Sequence, residues 1–147
     1  MLKLITHRIV ILAVLWISGS TIAIASPSKS DEKTTYKIAE QFVSKVEKGD
    51  INQAFDQIKP FWPLADSEVD DLKAHTIRER ETVQKRYGQP IEIEFIRTEF
   101  VGNSMIKHTF IEKFEKHALK WQVSFYKPKK DWIINSVYWD DKISELY

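Results

Sequence analysis

The hydrophobic pattern changes its period at Pro90, and this change constrains the fold more than any other feature of the sequence. Before Pro90, apolar residues recur every three or four positions, which is typical of amphipathic helices. After Pro90 they alternate with polar residues, which is typical of strands with one buried face. Because the helical and strand patterns are segregated along the chain, the sequence predicts an α+β fold with helices packed on one face of an antiparallel sheet.

Three helices are predicted in the first half. Gly49 ends the first and Pro60 stops the second, while the third is expected to begin at Ser67 and to close at Gly88. The first two carry clear apolar stripes (Ala39, Phe42, Val43 and Val46; Ala54, Phe55 and Ile58). The third has only a thin stripe, and its other faces carry Arg78, Glu79, Arg80, Glu81, Lys85 and Arg86, which we interpret as a solvated charged surface.

Four strands are predicted after Pro90, joined as a meander. Gly102-Asn103 is a two-residue hairpin signal, and further turns are expected at Lys116-His117 and at residues 127–131. This register places Phe95 opposite Phe110, Ile93 opposite Glu112, Arg97 opposite His108 and Glu112 opposite Trp121. In the last strand either parity is possible, and we favour a bulge that turns Trp132 and Ile134, then Val137 and Trp139, toward the core.

The register divides the sheet into two faces. The inner face, toward the helices, is predicted to carry the aromatic residues that are our candidates for ligand binding: Phe95, Phe110, Trp121 and Trp139. For Trp121 the favoured interpretation is core packing, because a large buried indole normally anchors a core, and ligand contact is the alternative. The outer face is mainly polar but includes five apolar residues that could pair with another surface: Ile96, Phe100, Met105, Ile111 and Tyr126.

Ionisable residues on the inner face are the candidate catalytic groups, because a buried charge must be paired or line a wet cavity. These residues are Arg97, Glu99, His108 and Glu112. Glu112, between apolar neighbours in mid-strand, is either a general acid or base or a satisfied structural carboxyl bonded to a helix residue or to water. His108 and Arg97 could stabilise developing negative charge. His108 is about 13 Å along the strand from Glu112, too far for a direct dyad.

Other chemistry lacks a sequence signature. No histidine spacing suits zinc, and no glycine-rich phosphate loop or nucleophile motif occurs, so neither a metal nor a cofactor is predicted. The 22 Lys and Arg residues nearly balance the 21 Asp and Glu residues, which gives no indication of nucleic-acid binding. The chain has no cysteine and therefore no disulfide or thiol chemistry.

The first 25 residues have the layout of a secretory signal peptide. Lys3 and Arg8 precede an apolar run at residues 9–17, and Ala23-Ile24-Ala25 suits cleavage after Ala25. The alternative is an uncleaved anchor. Cleavage predicts a periplasmic or secreted protein without a stable membrane span, with a flexible leader at residues 26–32 and one domain at residues 33–147.

The helix break KGDINQAF, the segment RYGQP before the sheet and the closing hairpin KWQVSFYKPKKDWIINSVYW resemble the nuclear transport factor 2-like, or cystatin-like, superfamily. The similarity is to its small exported bacterial members of unknown function. It implies a curved, cone-like sheet with a cavity between sheet and helices. Some members are cofactor-independent isomerases, dehydratases or cyclases, and many others bind ligands or form dimers. The residues that map to cavity positions are Glu112, His108 and Arg97.

These observations leave three functional hypotheses. The first is an exported, non-catalytic module that binds a small, partly apolar molecule or an envelope protein. The second is an acid–base enzyme that uses Glu112 with His108 or Arg97. The third is an envelope interaction domain that forms a homodimer or another complex through the outer sheet face.

Overall fold

The computed structural model describes residues 29–147; the predicted signal peptide at residues 1–25 lies outside the described residues. Three helices precede four strands, which confirms the predicted α+β order. The elements are α1 (Lys29–Glu47), α2 (Ile51–Ile58), α3 (Asp66–Tyr87), β1 (Pro90–Val101), β2 (Met105–Phe114), β3 (Ala118–Tyr126) and β4 (Ile133–Asp140), with short 3-10 turns at Lys59–Phe61 and Ile143–Leu146. Helix α1 therefore begins within the predicted leader at residues 26–32.

The helices bury the predicted apolar stripes. All stripe residues of α1 and α2 are buried. Gly49 separates the two helices with a φ of 86°, a conformation that side chains disfavour. Helix α3 begins one residue before the predicted Ser67, because the carboxylate of Glu68 accepts a hydrogen bond of 2.9 Å from the backbone N–H of Ala65. Helices α1 and α2 thus supply the main apolar surface of the helical layer, whereas α3 buries Val69, Thr76 and Arg80.

The sheet has the order β1-β2-β3-β4 and is fully antiparallel. Each strand pairs with its sequence neighbour, as a meander requires, and β1 and β4 are the two edges. Within residues 29–147, no helix is both long and apolar enough to cross a bilayer.

The β1–β2 pairing confirms part of the predicted register and corrects the rest. Phe95 pairs with Phe110 and Ile93 with Glu112, as predicted, but Arg97 pairs with Thr109 instead of His108. The turn has three residues instead of two, and a bulge at Ile96 restores the predicted pairing beyond it. Because the bulge reverses the alternation on the turn side, Arg97 and Glu99 lie on the outer face. Thr98 and Phe100 lie on the inner face.

The β2–β3 pairing is two residues away from the prediction, with Glu112 opposite Leu119 and Phe110 opposite Trp121. The shift arises because the turn falls at residues 115–116, one residue earlier than predicted, and it is closed by a 2.8 Å hydrogen bond from the N–H of Phe114 to the carbonyl of His117. A shift of two residues preserves the face of every side chain. Glu112 and Trp121 therefore remain on the inner face, as diagonal neighbours.

The predicted bulge in β4 is confirmed. Trp139 pairs with Trp121 and Val137 with Val123, and a register shift then pairs Ile134 with Phe125. Ile134 is fully buried, and Trp132, Val137 and Trp139 pack against the core while partly buried.

The C-terminal segment, residues 141–147, crosses the outer face of the sheet. Lys120 points outward from β3 and is only 2% exposed, because its Nζ contacts Glu145 at 2.5 Å and Asp140 at 3.3 Å. Nη1 of Arg97, on β1, donates a hydrogen bond of 3.2 Å to the carbonyl of Leu146. The outer face is therefore partly covered by the chain itself, which the alternation pattern does not predict.

Candidate functional site

Glu112 is fully buried and forms a two-pronged ion pair with Arg80 of α3. Nη1 of Arg80 lies 2.7 Å from Oε2 of Glu112, and Nη2 lies 2.7 Å from Oε1. Arg80 itself is only 3% exposed, and its guanidinium lies 5.7 Å from the ring centroid of Phe114. A planar guanidinium matches a carboxylate in this geometry, which fixes both groups in angle as well as distance.

Trp121 supplies the third donor to the same carboxylate. Its indole Nε1–H donates to Oε2 of Glu112 at 2.8 Å. The indole also stacks on Trp139, with ring centroids 5.4 Å apart and an interplanar angle of 23°, and meets the edge of Phe42. Since Arg80, Glu112 and Trp121 are all buried and mutually bonded, the carboxylate holds the orientation of the indole. We call these three residues the buried triad.

A cleft of about 360 Å³ opens between α3 and the inner side of β4, and Trp121 forms part of its wall. The walls are mainly apolar and aromatic, whereas His75 and Glu79, one helical turn apart on α3, are exposed. The residues that line the cleft are Phe55, Trp62, Leu72, His75, Thr76, Glu79, Trp121, Val137, Tyr138 and Trp139. Glu112 and Arg80 are not among these lining residues, so the buried triad touches the cleft only through Trp121.

His108 lies further along β2 in a separate, fully buried setting. Thr35 lies 2.8 Å from its Nε2, and Thr98 lies 3.0 Å from its Nδ1. The Thr35 hydroxyl is within 3.1 Å of the Asp31 and Glu32 carbonyls and donates its one proton there, so it accepts from Nε2–H. Nδ1 then accepts from Thr98. Burial lowers the pKa of His108 to about 4, so the imidazole is neutral near pH 7.

The structure separates the residues that the sequence proposed as one catalytic set. Glu112 is bonded to Arg80 and Trp121, and His108 to two threonines. Arg97 lies on the outer face, with its Nε 3.3 Å from Glu99. The assignment of Arg97 and Glu99 to the inner face is therefore wrong, because the bulge at Ile96 was not anticipated.

The four candidate binding residues also divide into two groups. Trp121 and Trp139 line the cleft. Phe95 and Phe110 instead pack around Tyr36 of α1, at centroid distances of 5.1 and 6.0 Å, away from the residues that line the cleft.

Arg80 is the residue that the sequence interpretation missed. It was assigned to the solvated charged surface of α3, but it is buried together with Val69 and Thr76. A signal was present, because Val69, Thr76, Arg80 and Val83 recur at helical spacing. A second signal was the predicted burial of Glu112, which required a partner from the helical layer.

Among residues 29–147, no three His, Asp or Glu side chains lie close enough together to hold a metal ion. Comparisons with protein-family models, with curated proteins and with solved structures gave no match to this chain. The site is therefore interpreted from its own geometry.

Proposed function

We propose that the protein is an exported, non-catalytic binding module that holds a small, partly apolar molecule in the cleft between α3 and β4. The observation that carries the proposal is the cleft of about 360 Å³ with Trp121 in its wall. Clefts of this size, with apolar walls and a few polar groups, are typical of small-molecule sites. Export, and membership of the superfamily that the sequence resembles, are parts of the same proposal.

The chemistry of the walls indicates the kind of ligand. Trp139, which is partly exposed, and Tyr138, which is 49% exposed, offer ring surfaces that favour a flat apolar group, and the buried Trp121 stacks against Trp139. His75 and Glu79 are exposed on the α3 wall and favour a hydrogen-bonding group at one end of the ligand. The buried triad keeps Trp121 in one orientation, and Trp121 in turn supports the ring of Trp139 by stacking, which reduces the entropy that the cleft wall loses when a ligand binds. The cleft is then the counterpart of the cavity that the resemblance implies.

The acid–base alternative is less well supported. Both oxygens of Glu112 already accept hydrogen bonds from Arg80 and Trp121, and the side chain is fully buried. A general base must reach the proton that it removes, and Glu112 has no path to the cleft except through Trp121. We assign Glu112 a positioning role for this reason.

The test is native mass spectrometry of the protein isolated from cells that export it, followed by titration with N-phenyl-1-naphthylamine, a neutral apolar fluorophore. Leu72→Arg places a long charged side chain in the cleft at a residue that is 39% exposed, so the fold should tolerate it. Ile91→Arg is the matched control, on the edge strand β1 and 58% exposed.

We expect a co-purified small molecule, or fluorophore binding, that Leu72→Arg reduces at least tenfold and that Ile91→Arg leaves unchanged. The proposal is wrong if the isolated protein carries no small molecule and the fluorophore does not bind. It is equally wrong if both variants bind like the unaltered protein.

A further inference from the structure

One end of the domain gathers three segments that are distant in sequence. The backbone N–H of Lys127, just after β3, donates a 2.9 Å hydrogen bond to the carbonyl of Ser104 in the β1–β2 turn. The Nζ of Lys127 also contacts the carboxylate of Asp31, in the first turn of α1, at 3.3 Å. We call this region, made of the β1–β2 turn, the β3–β4 loop at residues 127–132 and the start of α1, the hairpin end.

The hairpin end exposes apolar side chains that the core does not use. Val101 is 70% exposed, Phe100 44% and Tyr126 38%. The register aligns Val101, Met105, Tyr126 and Ile133 as neighbours in one row across all four strands. This row lies on the outer face at one end of the strands. The C-terminal segment does not cover it, because that segment bonds to the sheet only as far along β1 as Arg97.

Exposed lysines border this apolar row. Lys129 and Lys130 are exposed in the β3–β4 loop, next to the exposed Asp131. Lys127 is already engaged, since it pairs with Asp31 and lies 5.4 Å from the ring centroid of Trp132. An apolar row with flanking lysines complements a bilayer, whose interior takes apolar side chains and whose phosphates attract ammonium groups.

The chain that precedes α1 leaves the domain at this same end, because Asp31 is bonded there. That part of the sequence includes the apolar run at residues 9–17. Residues 18–28 reach at most about 40 Å when fully extended. If the apolar run is inserted in a bilayer, either before cleavage during export or as a retained anchor, the short connection keeps the hairpin end close to the membrane surface.

We propose that the hairpin end docks on the surface of a bilayer that contains anionic phospholipids. Val101 and Tyr126, in the outer-face row, enter the headgroup region, and Lys129 and Lys130 contact lipid phosphates. Tyrosine is enriched at this depth in membranes, because its ring is apolar and its hydroxyl is polar. The cleft between α3 and β4 is lined by other residues, so docking does not depend on the proposed ligand site.

The test is sedimentation with vesicles of phosphatidylglycerol and, separately, of phosphatidylcholine. The protein is used as its producing cell makes it, so that its N-terminus is the same in every variant. Two variants alter the hairpin end: Lys129→Glu/Lys130→Glu and Val101→Ser. Two matched controls make the same changes elsewhere: Lys48→Glu/Lys116→Glu, after α1 and in the β2–β3 turn, and Ile91→Ser, near the opposite end of β1.

We expect binding to phosphatidylglycerol that weakens with salt and exceeds binding to phosphatidylcholine. Loss of two lysine contacts, each contributing about 1 kcal/mol, weakens binding roughly 30-fold. Val101→Ser should weaken it several-fold, and the controls should match the unaltered protein. Equal binding by hairpin-end and control variants overturns the proposal, as does equal binding to both lipids. A dimer that Val101→Ser converts to a monomer also overturns it, by assigning the row to a second copy of the chain.

Discussion

Replacing Glu112 by Gln tests whether the buried carboxylate has a structural role. The glutamine has the same shape, and its Oε1 can still accept the indole N–H of Trp121. The amide N–H groups of the glutamine, however, face the N–H groups of the Arg80 guanidinium, so donor meets donor. The charge of Arg80, whose side chain is only 3% exposed, is then left without a compensating charge. Breaking a buried pair in this way costs about 3–5 kcal/mol. That is a large part of the roughly 5–15 kcal/mol by which a domain of this size is stable.

The assay is urea and thermal unfolding followed by circular dichroism. At about 4 °C per kcal/mol, the melting temperature should fall by roughly 12–20 °C. Arg80→Met should destabilise by a similar amount, because it leaves the carboxylate unpaired. The double variant should be less destabilised than the sum of the two single variants by about 2 kcal/mol, since the two side chains share one interaction.

Glu92→Gln is the matched control for this experiment. Glu92 is also a glutamate on a strand and contacts Lys113 at 2.8 Å, but its side chain is 61% exposed. Exposed pairs of this kind contribute little, so no measurable loss is expected. The reasoning is refuted if Glu112→Gln costs less than about 1 kcal/mol and its coupling to Arg80 is close to zero.

Three further predictions concern other parts of the fold. Because His108 has a pKa of about 4 when folded and about 6.5 when unfolded, the free energy of unfolding should fall by about 3 kcal/mol as pH drops through this window, and urea titrations at several pH values measure this fall. Gly88→Ala should destabilise the protein by about 1–2 kcal/mol in thermal melts, because Gly88 has a φ of 87° and an added Cβ would lie 2.9 Å from the Cβ of Glu115. Gly49→Ala should cost less, because no atom lies within 4 Å of the Cβ that it adds. Removing residues 143–147 should destabilise by about 1–3 kcal/mol in urea unfolding, because the fold loses the Lys120–Glu145 contact and the hydrogen bond from Arg97 to the carbonyl of Leu146. An unchanged midpoint would show that the C-terminal segment does not stabilise the sheet.

The faces of the central strands could be predicted from alternation alone, because a register shift of two residues returns every side chain to the same face. The β1–β2 turn is one residue longer than predicted, and the bulge at Ile96 compensates for this length at Phe95 and Ile93. The β2–β3 turn falls one residue earlier than predicted, and the resulting shift of two residues leaves every face unchanged. Alternation carries no information about a bulge whose flanking residues are all compatible with either face. The faces of Arg97, Glu99 and Phe100 were therefore predicted wrongly.

The candidate site was predictable only in part. Burial of Glu112 and Trp121 followed from the strand pattern, and a helix partner for Glu112 was one of the stated alternatives. The identity of that partner was not found, because a charged residue on a charged helix is normally solvated and the sequence does not show how α3 crosses the sheet. The C-terminal segment was missed because its position depends on contacts between Lys120, Glu145 and Arg97, which no local period encodes.

The central claim is that Glu112 acts by holding the indole of Trp121 as a wall of the cleft. Hydrogen exchange of the Trp121 indole Nε1–H, followed by nuclear magnetic resonance, tests it most directly. The account predicts an indole proton that exchanges only through global unfolding, because it is buried and bonded to Glu112 at 2.8 Å. An indole proton that exchanges at the rate of free tryptophan would contradict the account.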